Sequence, residues 1–264
     1  MYEAYWGLSH SPFQNVPDPT FFCPLPVHME VLEKLLYVVQ YGKGGALLTG
    51  EAGCGKSTLS RVFLLQLDEE RYDIGLVINP SLASDELLDE IAYQMGVSSP
   101  AANRAAQFRS LNDHLVTNAQ SGKGTVLLID EAHTIKDEAV FEDLRMLLNF
   151  QLNDRQLLTL ILLSLPELKE VIAQHPSLDQ RFAMRVKLCP FSEAETAFYI
   201  HFRLEKAKGT KRLFTKEAIK SIHQEAKGIP RTINNLCDLC LLEGSKRKAK
   251  EIDAALVRAV LDSQ

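Results

Sequence analysis

The chain has 264 residues, 46% hydrophobic and 24% charged, an ordinary globular composition with enough apolar side chains for a sizeable core. Net charge is −5, which excludes a chain that binds polyanions over its whole surface, but the charge is uneven: residues 191–264 carry 14 Lys/Arg against 10 Asp/Glu, and residues 1–190 carry 15 against 24. Five cysteines, an odd number, argue against a disulfide framework and for a reducing, cytoplasmic setting, and the longest apolar run, "LLTLILLSLP", is too short to span a bilayer.

The first 27 residues form an arm rich in proline and aromatics, "SPFQNVPDPTFFCPLP", in which prolines 12, 17, 19, 24 and 26 forbid regular helix. Its start, "MYEAYWGLSH", lacks the basic and apolar regions of a secretory signal. Helical spacing runs from His28 to Tyr41, after which strands and helices alternate. "GALLT" predicts a strand, "KSTLSRVFLLQL" a helix, "YDIGLVINP" a strand and "SDELLDEIAYQM" a helix with Ser84 as N-cap. Residues 97–104 read as a loop, followed by a helix to about Gln120. Then come the strand "GTVLLID", a helix from Asp137 to Leu152, the strand "LLTLILLS", a short helix in "PELKEVIAQ" and a last strand in "RVKLCP". Short apolar strands alternating with helices predict a parallel sheet covered on both faces. After Pro190 only helices are predicted, near 193–207, 215–227, 231–243 and 251–262. Three regions follow: the arm (1–27), an α/β domain (28–190) and an all-helical domain (191–264). Cys237 and Cys240 form a C-x-x-C, but no second Cys/His pair accompanies them and they fall in an amphipathic helix, so they read as buried thiols.

Between the first strand and its helix stands "GEAGCGKST": Gly50, Glu51, Ala52, Gly53, Cys54, Gly55, Lys56, Ser57 and Thr58. This is G-x-x-x-x-G-K-[ST] in the strand-then-helix context the pattern requires. Glycines permit positive φ and close backbone approach, so successive N–H groups can line a phosphate cradle at a helix N-terminus. Lys56 supplies a cation for the outer phosphates and Ser57 a hydroxyl for Mg²⁺. "TVLLIDEAH" supplies the carboxylates: Asp130 for the metal and Glu131 to polarise the attacking water. His133 is left as a helix-start residue with no assigned chemistry. The pattern calls for a nucleoside triphosphate with Mg²⁺, and ATP in particular, since the guanine-reading N-K-x-D of other P-loop families does not occur.

Hydrolysis of this kind draws on further cations near the γ-phosphate. Arg181, between a short helix and the last strand, is the candidate for an arginine given to a neighbouring subunit's site, with Arg185 at the opening of that strand the weaker one. Arg231 falls in the first turn of a helix, where the dipole disfavours a cation unless it reaches out to phosphate. Ser164, ending "LLTLILLS", is the candidate for positioning the lytic water.

These stretches together resemble the AAA+ ATPases of the ExeA/GspA secretion type, with MshM-like pilus ATPases and exosortase-associated ATPases as similar proteins and TniB-like transposition regulators as more distant ones. The resemblance runs nearly end to end, through "MYEAYWGLSHSPFQNVPDPTFF", "LLTGEAGCGKST", "LLIDEAH", "LPEL", "LDQRF", "PFSEAETAFYIHFRL" and "GIPRTINNLCDLCLLEG". It implies a P-loop NTPase core of five parallel strands in an αβα arrangement with a C-terminal helical lid. It also implies Lys56, Ser57, Asp130 and Glu131 in the Walker positions, Arg181 as the arginine finger and Arg231 as sensor 2. One departure concerns the sensor-1 region: the family commonly has "L-G-Q-P-E-L" where this chain has "LSLPEL", so Leu165 replaces a polar glutamine and Ser164 is the available substitute. ExeA-type relatives continue into a membrane span and a peptidoglycan-binding domain that these 264 residues lack, so the chain reads as a stand-alone relative or a portion of one.

The expected function is an ATP-driven assembly factor for a secretion, pilus or polysaccharide-export apparatus. It would work as a homo-oligomer through its nucleotide sites, recruited by an inner-membrane or envelope partner. Two alternatives stand beside it: a DNA-associated ATPase, from the basic segments "KAKGTKR" and "SKRKAKE", and a nucleotide-gated scaffold with little turnover, from "LSLPEL". For the arm, Phe13, Pro17, Phe21 and Phe22 either wall the adenine or strap the surface.

Overall fold

The computed structural model describes residues 2–97, 103–210 and 212–263, so most of the 97–104 loop and Lys211 of the basic segment lie outside the described residues. The chain divides into two compact units. One, the sheet unit, holds Val27–Gly50 and Leu59–Leu188; the other, the helical unit, holds the arm through Pro26, the segment Glu51–Thr58 and the residues from Cys189 on.

The elements in chain order are α1 (Glu3–Trp6), α2 (Pro26–Gln40), β1 (Gly45–Gly50), α3 (Lys56–Leu65), β2 (Tyr72–Val77), α4 (Ser84–Gln94) and α5 (Arg104–Gln120). They continue as β3 (Gly124–Ile129), α6 (Glu138–Leu147), β4 (Leu158–Ser164), α7 (Leu168–Ala173), α8 (Pro176–Asp179) and β5 (Phe182–Leu188). The helical unit then adds α9 (Glu193–Lys206), α10 (Lys216–Ala226), α11 (Pro230–Lys246) and α12 (Ala254–Leu261).

All five strands are parallel, in the order β2–β3–β4–β1–β5. β1 and β4 are buried at every residue, as expected for continuous apolar runs in a sheet covered on both faces. Leu47, Leu127, Leu160 and Leu162 from the strands pack with Leu88 and Ile91 of α4, Leu111 of α5 and Leu144 of α6 in one core. Because β4 inserts between β3 and β1, the carboxyl ends of these three strands fall side by side. In open parallel sheets that edge is where ligands bind.

Several local features depart from the sequence reading. The arm, expected to lack regular helix, holds the short α1, and Pro26 is itself the first residue of α2, where a proline sacrifices no helix hydrogen bond. The N-cap of α4 is Ala83, not Ser84: Glu86 accepts the Ala83 N–H at 3.0 Å, which frees Ser84 to be the first helical residue. The Ser84 hydroxyl donates instead to buried Asp143 at 2.5 Å, and Arg104 reaches the other oxygen of the same carboxylate. β5 opens at Phe182, three residues earlier than predicted, because the Phe182 ring fills the space above Gly45; a Cβ there would lie 2.7 Å from the ring. α6 stops at Leu147, and Gln151 bridges antiparallel to Gln156 where the helix was expected to run on.

In the helical unit the arm is a packed strap. Arg203 of α9 is 4% exposed; its Nε donates to the Pro12 carbonyl at 2.5 Å and its Nη2 to that of Gln14 at 2.8 Å, while the guanidinium lies 4.3 Å from the Phe21 ring centre. Burial pushes the Arg203 pKa down, and these carbonyls and the ring face stabilise the charge in its place. Trp6 donates to the Leu241 carbonyl, and buried Phe13 meets Phe214 edge-on. Cys237 and Cys240 are free and fully buried, and desolvation pushes Cys240 up to about 12. No helix among the described residues is long and apolar enough to cross a membrane.

Candidate functional site

The glycine-rich bend leaves β1 at Gly50, where the Leu188 carbonyl of β5 approaches so closely that a Cβ would lie 2.7 Å from it. Within the bend Gly53 (φ +81°) and Gly55 (φ +96°) take backbone conformations that other residues strongly avoid. Lys56 opens α3 and is buried, with its ammonium donating to the Glu51 carbonyl at 3.2 Å. Buried Cys54 carries a thiol whose pKa desolvation raises.

The same unit brings Arg231 to this bend. Pro230 occupies the first position of α11, and the next residue, Arg231, donates its backbone N–H to the Gly53 carbonyl at 3.2 Å. Its Cβ would be 2.8 Å from any Cβ placed on Gly53. Gly53 is thus constrained twice, by φ and by the stem of Arg231, while the Arg231 side chain as a whole is exposed.

In the sheet unit, β3 ends at Ile129 and delivers Asp130, which is buried, with its amide donating to the Val77 carbonyl at 2.8 Å. Glu131 follows in the left-handed region (φ +51°, ψ +33°). The other non-glycine residues with positive φ among those described, Lys208, Lys227 and Lys248, finish helices, where that conformation is common. Glu131 instead caps the start of a short 3₁₀ turn, Ala132–Thr134, and the conformation costs about 1–2 kcal/mol for a residue with a Cβ. It is held by three hydrogen bonds: the Glu131 amide donates to Asp130 Oδ1 at 2.8 Å, and the Thr134 amide and hydroxyl both donate to the Glu131 carbonyl, at 2.9 and 2.8 Å. Its carboxylate is half exposed, and Oε2 lies 3.3 Å from His133 Nε2. The opposite ring nitrogen, Nδ1, accepts the backbone N–H of Leu165 at 3.4 Å. His133 therefore spans from β3 to β4, a link the sequence reading missed because its partner lies 32 residues downstream.

Ser164, at the end of β4, is fully buried and its hydroxyl donates to the Leu165 carbonyl at 2.7 Å. Arg181 sits at the other end of the sheet: its carbonyl accepts the amide of Gly45, the first residue of β1, at 3.0 Å. Its guanidinium is held by Asn149 Oδ1 at 2.5 Å. Five residue steps of β1, roughly 16 Å, separate that edge from Gly50. Arg185 lies inside β5, not at its opening, and pairs with Asp179 at 2.6 Å.

A parallel five-stranded sheet in this order, with a glycine-rich bend feeding a helix from a central strand and a C-terminal helical region, is the P-loop NTPase fold of the α/β class. The fold recurs in solved structures: Cdc6p of Pyrobaculum aerophilum (14% identity, TM-score 0.72, covering 93% of this chain and 71% of that one) and Drosophila ORC bound to DNA (15%, TM-score 0.71, covering 98% and 65%). The family described as AAA domain matches residues 39–172. General secretion pathway protein A of Aeromonas hydrophila is 37% identical over 256 residues, 96% of this chain. The chain belongs to the AAA ATPases, of the general secretion pathway protein A (ExeA/GspA) type. It spans about half, 46%, of that relative's length.

Proposed function

We propose that the chain binds and hydrolyses ATP with Mg²⁺, and that it drives assembly of an envelope apparatus as a homo-oligomer. The observation that carries the reading is the bend: Gly53 and Gly55 at positive φ, directly before buried Lys56 at the start of α3. Amides of a loop in this conformation, at the positive end of a helix, suit an anion. Residues 50–58 would hold the phosphates, Lys56 and Arg231 would neutralise them, and Ser57 and Asp130 would hold the metal. Bound there, Mg²⁺ supplies charge neutralisation on the phosphate oxygens. Glu131 would orient the attacking water and take its proton.

Arg181 faces the edge of the sheet opposite Gly50, so it serves a second copy's site better than its own; this supports an oligomer closed through its nucleotide sites. The secretion setting rests on the likeness to general secretion pathway protein A, over the half of that protein the chain spans. Recruitment would then fall to an inner-membrane or envelope protein. The direct test is equilibrium binding of Mg·ATP to the purified chain and to Lys56→Ala. Loss of a charge-assisted contact is expected to weaken affinity about 10²-fold. Equal affinity in the two proteins would remove the bend as the nucleotide site.

A further inference from the structure

In this chain the β4 end presents Leu165, an apolar side chain, at the position after Ser164, and the Ser164 hydroxyl is spent on its neighbour's carbonyl. Neither side chain offers a polar group toward Glu131. The backbone does so through His133. The Leu165 N–H donates to Nδ1, which places the proton of the neutral ring on Nε2, and Nε2 lies 3.3 Å from Glu131 Oε2. The ring is 22% exposed, so it is partly shielded and still borders the site. The residue it faces is the one held in a left-handed backbone conformation at the start of a short 3₁₀ turn, not at the C-terminal end of a helix where that conformation is common. Two independent features thus converge on the Glu131 carboxylate: a left-handed backbone that aims it and an imidazole that faces its oxygen.

We propose that His133 is a positioning residue that fixes the Glu131 carboxylate and couples it to the end of β4, filling the place left by the apolar Leu165. A shift of β4 at Leu165 would move the imidazole, and with it the carboxylate. This rests on the reading of Glu131 as the water-activating group, and the tests separate the two.

The first test needs no nucleotide. ¹⁵N NMR of the histidine rings of the full chain in mildly alkaline buffer, assigned by the signal lost in His133→Gln, should show His133 as the Nε2–H tautomer. An Nδ1–H tautomer overturns the proposal, since Leu165 would then have no acceptor. The second is a double-mutant cycle on Mg·ATP turnover. His133→Ala should lower kcat about 10²-fold with the KM for ATP within twofold of wild type. In the Glu131→Gln background the same change should alter the residual rate less than twofold. His133→Gln, which keeps a donor and an acceptor, should recover part of the loss, whereas His133→Leu should not. Equal loss in both backgrounds, or a loss confined to KM, overturns the proposal. Absence of Lys56-dependent turnover in the unmodified chain would instead overturn the ATPase reading and leave the tautomer result to decide His133.

Discussion

Arg181→Ala is expected to lower ATP turnover about 10³-fold or more while leaving Mg·ATP affinity within a few-fold of wild type. The size comes from the charge that develops on the transferring phosphoryl group: an arginine delivered from a neighbouring subunit contributes ~10³–10⁵ in rate. The separation of rate from binding comes from the geometry. Arg181 bonds through its carbonyl to the first residue of β1 and through its guanidinium to Asn149, both at the edge of the sheet remote from Gly50. Complementation makes the prediction specific. A protomer with Arg181→Ala retains its own bend, and one with Lys56→Ala retains its own arginine. Mixing the two inactive variants should therefore restore a measurable part of the wild-type rate, because some interfaces pair an intact bend with an intact Arg181. A mixture as inactive as its components, or an Arg181→Ala protein that by itself turns over normally, would rule out the shared site.

Glu131→Gln is the second large effect. Replacing the carboxylate by an isosteric amide removes the proton acceptor and should reduce kcat by ~10²–10⁴. Bound ATP should persist, so the variant accumulates as the ATP complex. Stability should hardly change: the side chain is half exposed, and the backbone bonds that hold the left-handed conformation involve Asp130 and Thr134, not the Glu131 carboxylate. Rapid-quench measurement of bound ATP against ADP in a single turnover, paired with a thermal melt, checks both halves. A variant that hydrolyses at the wild-type rate would show that another group activates the water.

Much of the fold could be read from the chain because its signals are local. Short buried strands such as "GALLT" and "LLTLILLS" have no exposed face to disguise them, and the bend announces itself by glycine spacing and a following helix. Helices α9 to α12 are legible from apolar periodicity, and the first turn of α11 already sets Arg231 apart. What escaped the sequence depends on distant partners. A strap is one of the two readings of the arm that the sequence allows, but its anchor is not legible there: Arg203, about 190 residues away, bonds the carbonyls of Pro12 and Gln14. Phe182 joins β5 because Gly45 leaves room for its ring. Ser84 yields the cap of α4 because Glu86 already satisfies the Ala83 amide and Asp143 takes its hydroxyl. His133 looks like one polar residue after two acids until β4 brings Leu165 to its ring. The roles of such residues are set by topology, and local spacing carries no trace of them.

Steady-state ATP turnover per protomer, measured across a wide range of protein concentration with Mg²⁺ in excess, tests the whole account most directly. A site completed by a neighbouring copy predicts a rate per protomer that climbs with concentration to a plateau and vanishes on chelation of the metal. Hydrolysis that is undetectable at every concentration, or a per-protomer rate that is the same from dilute to concentrated solution, would contradict it.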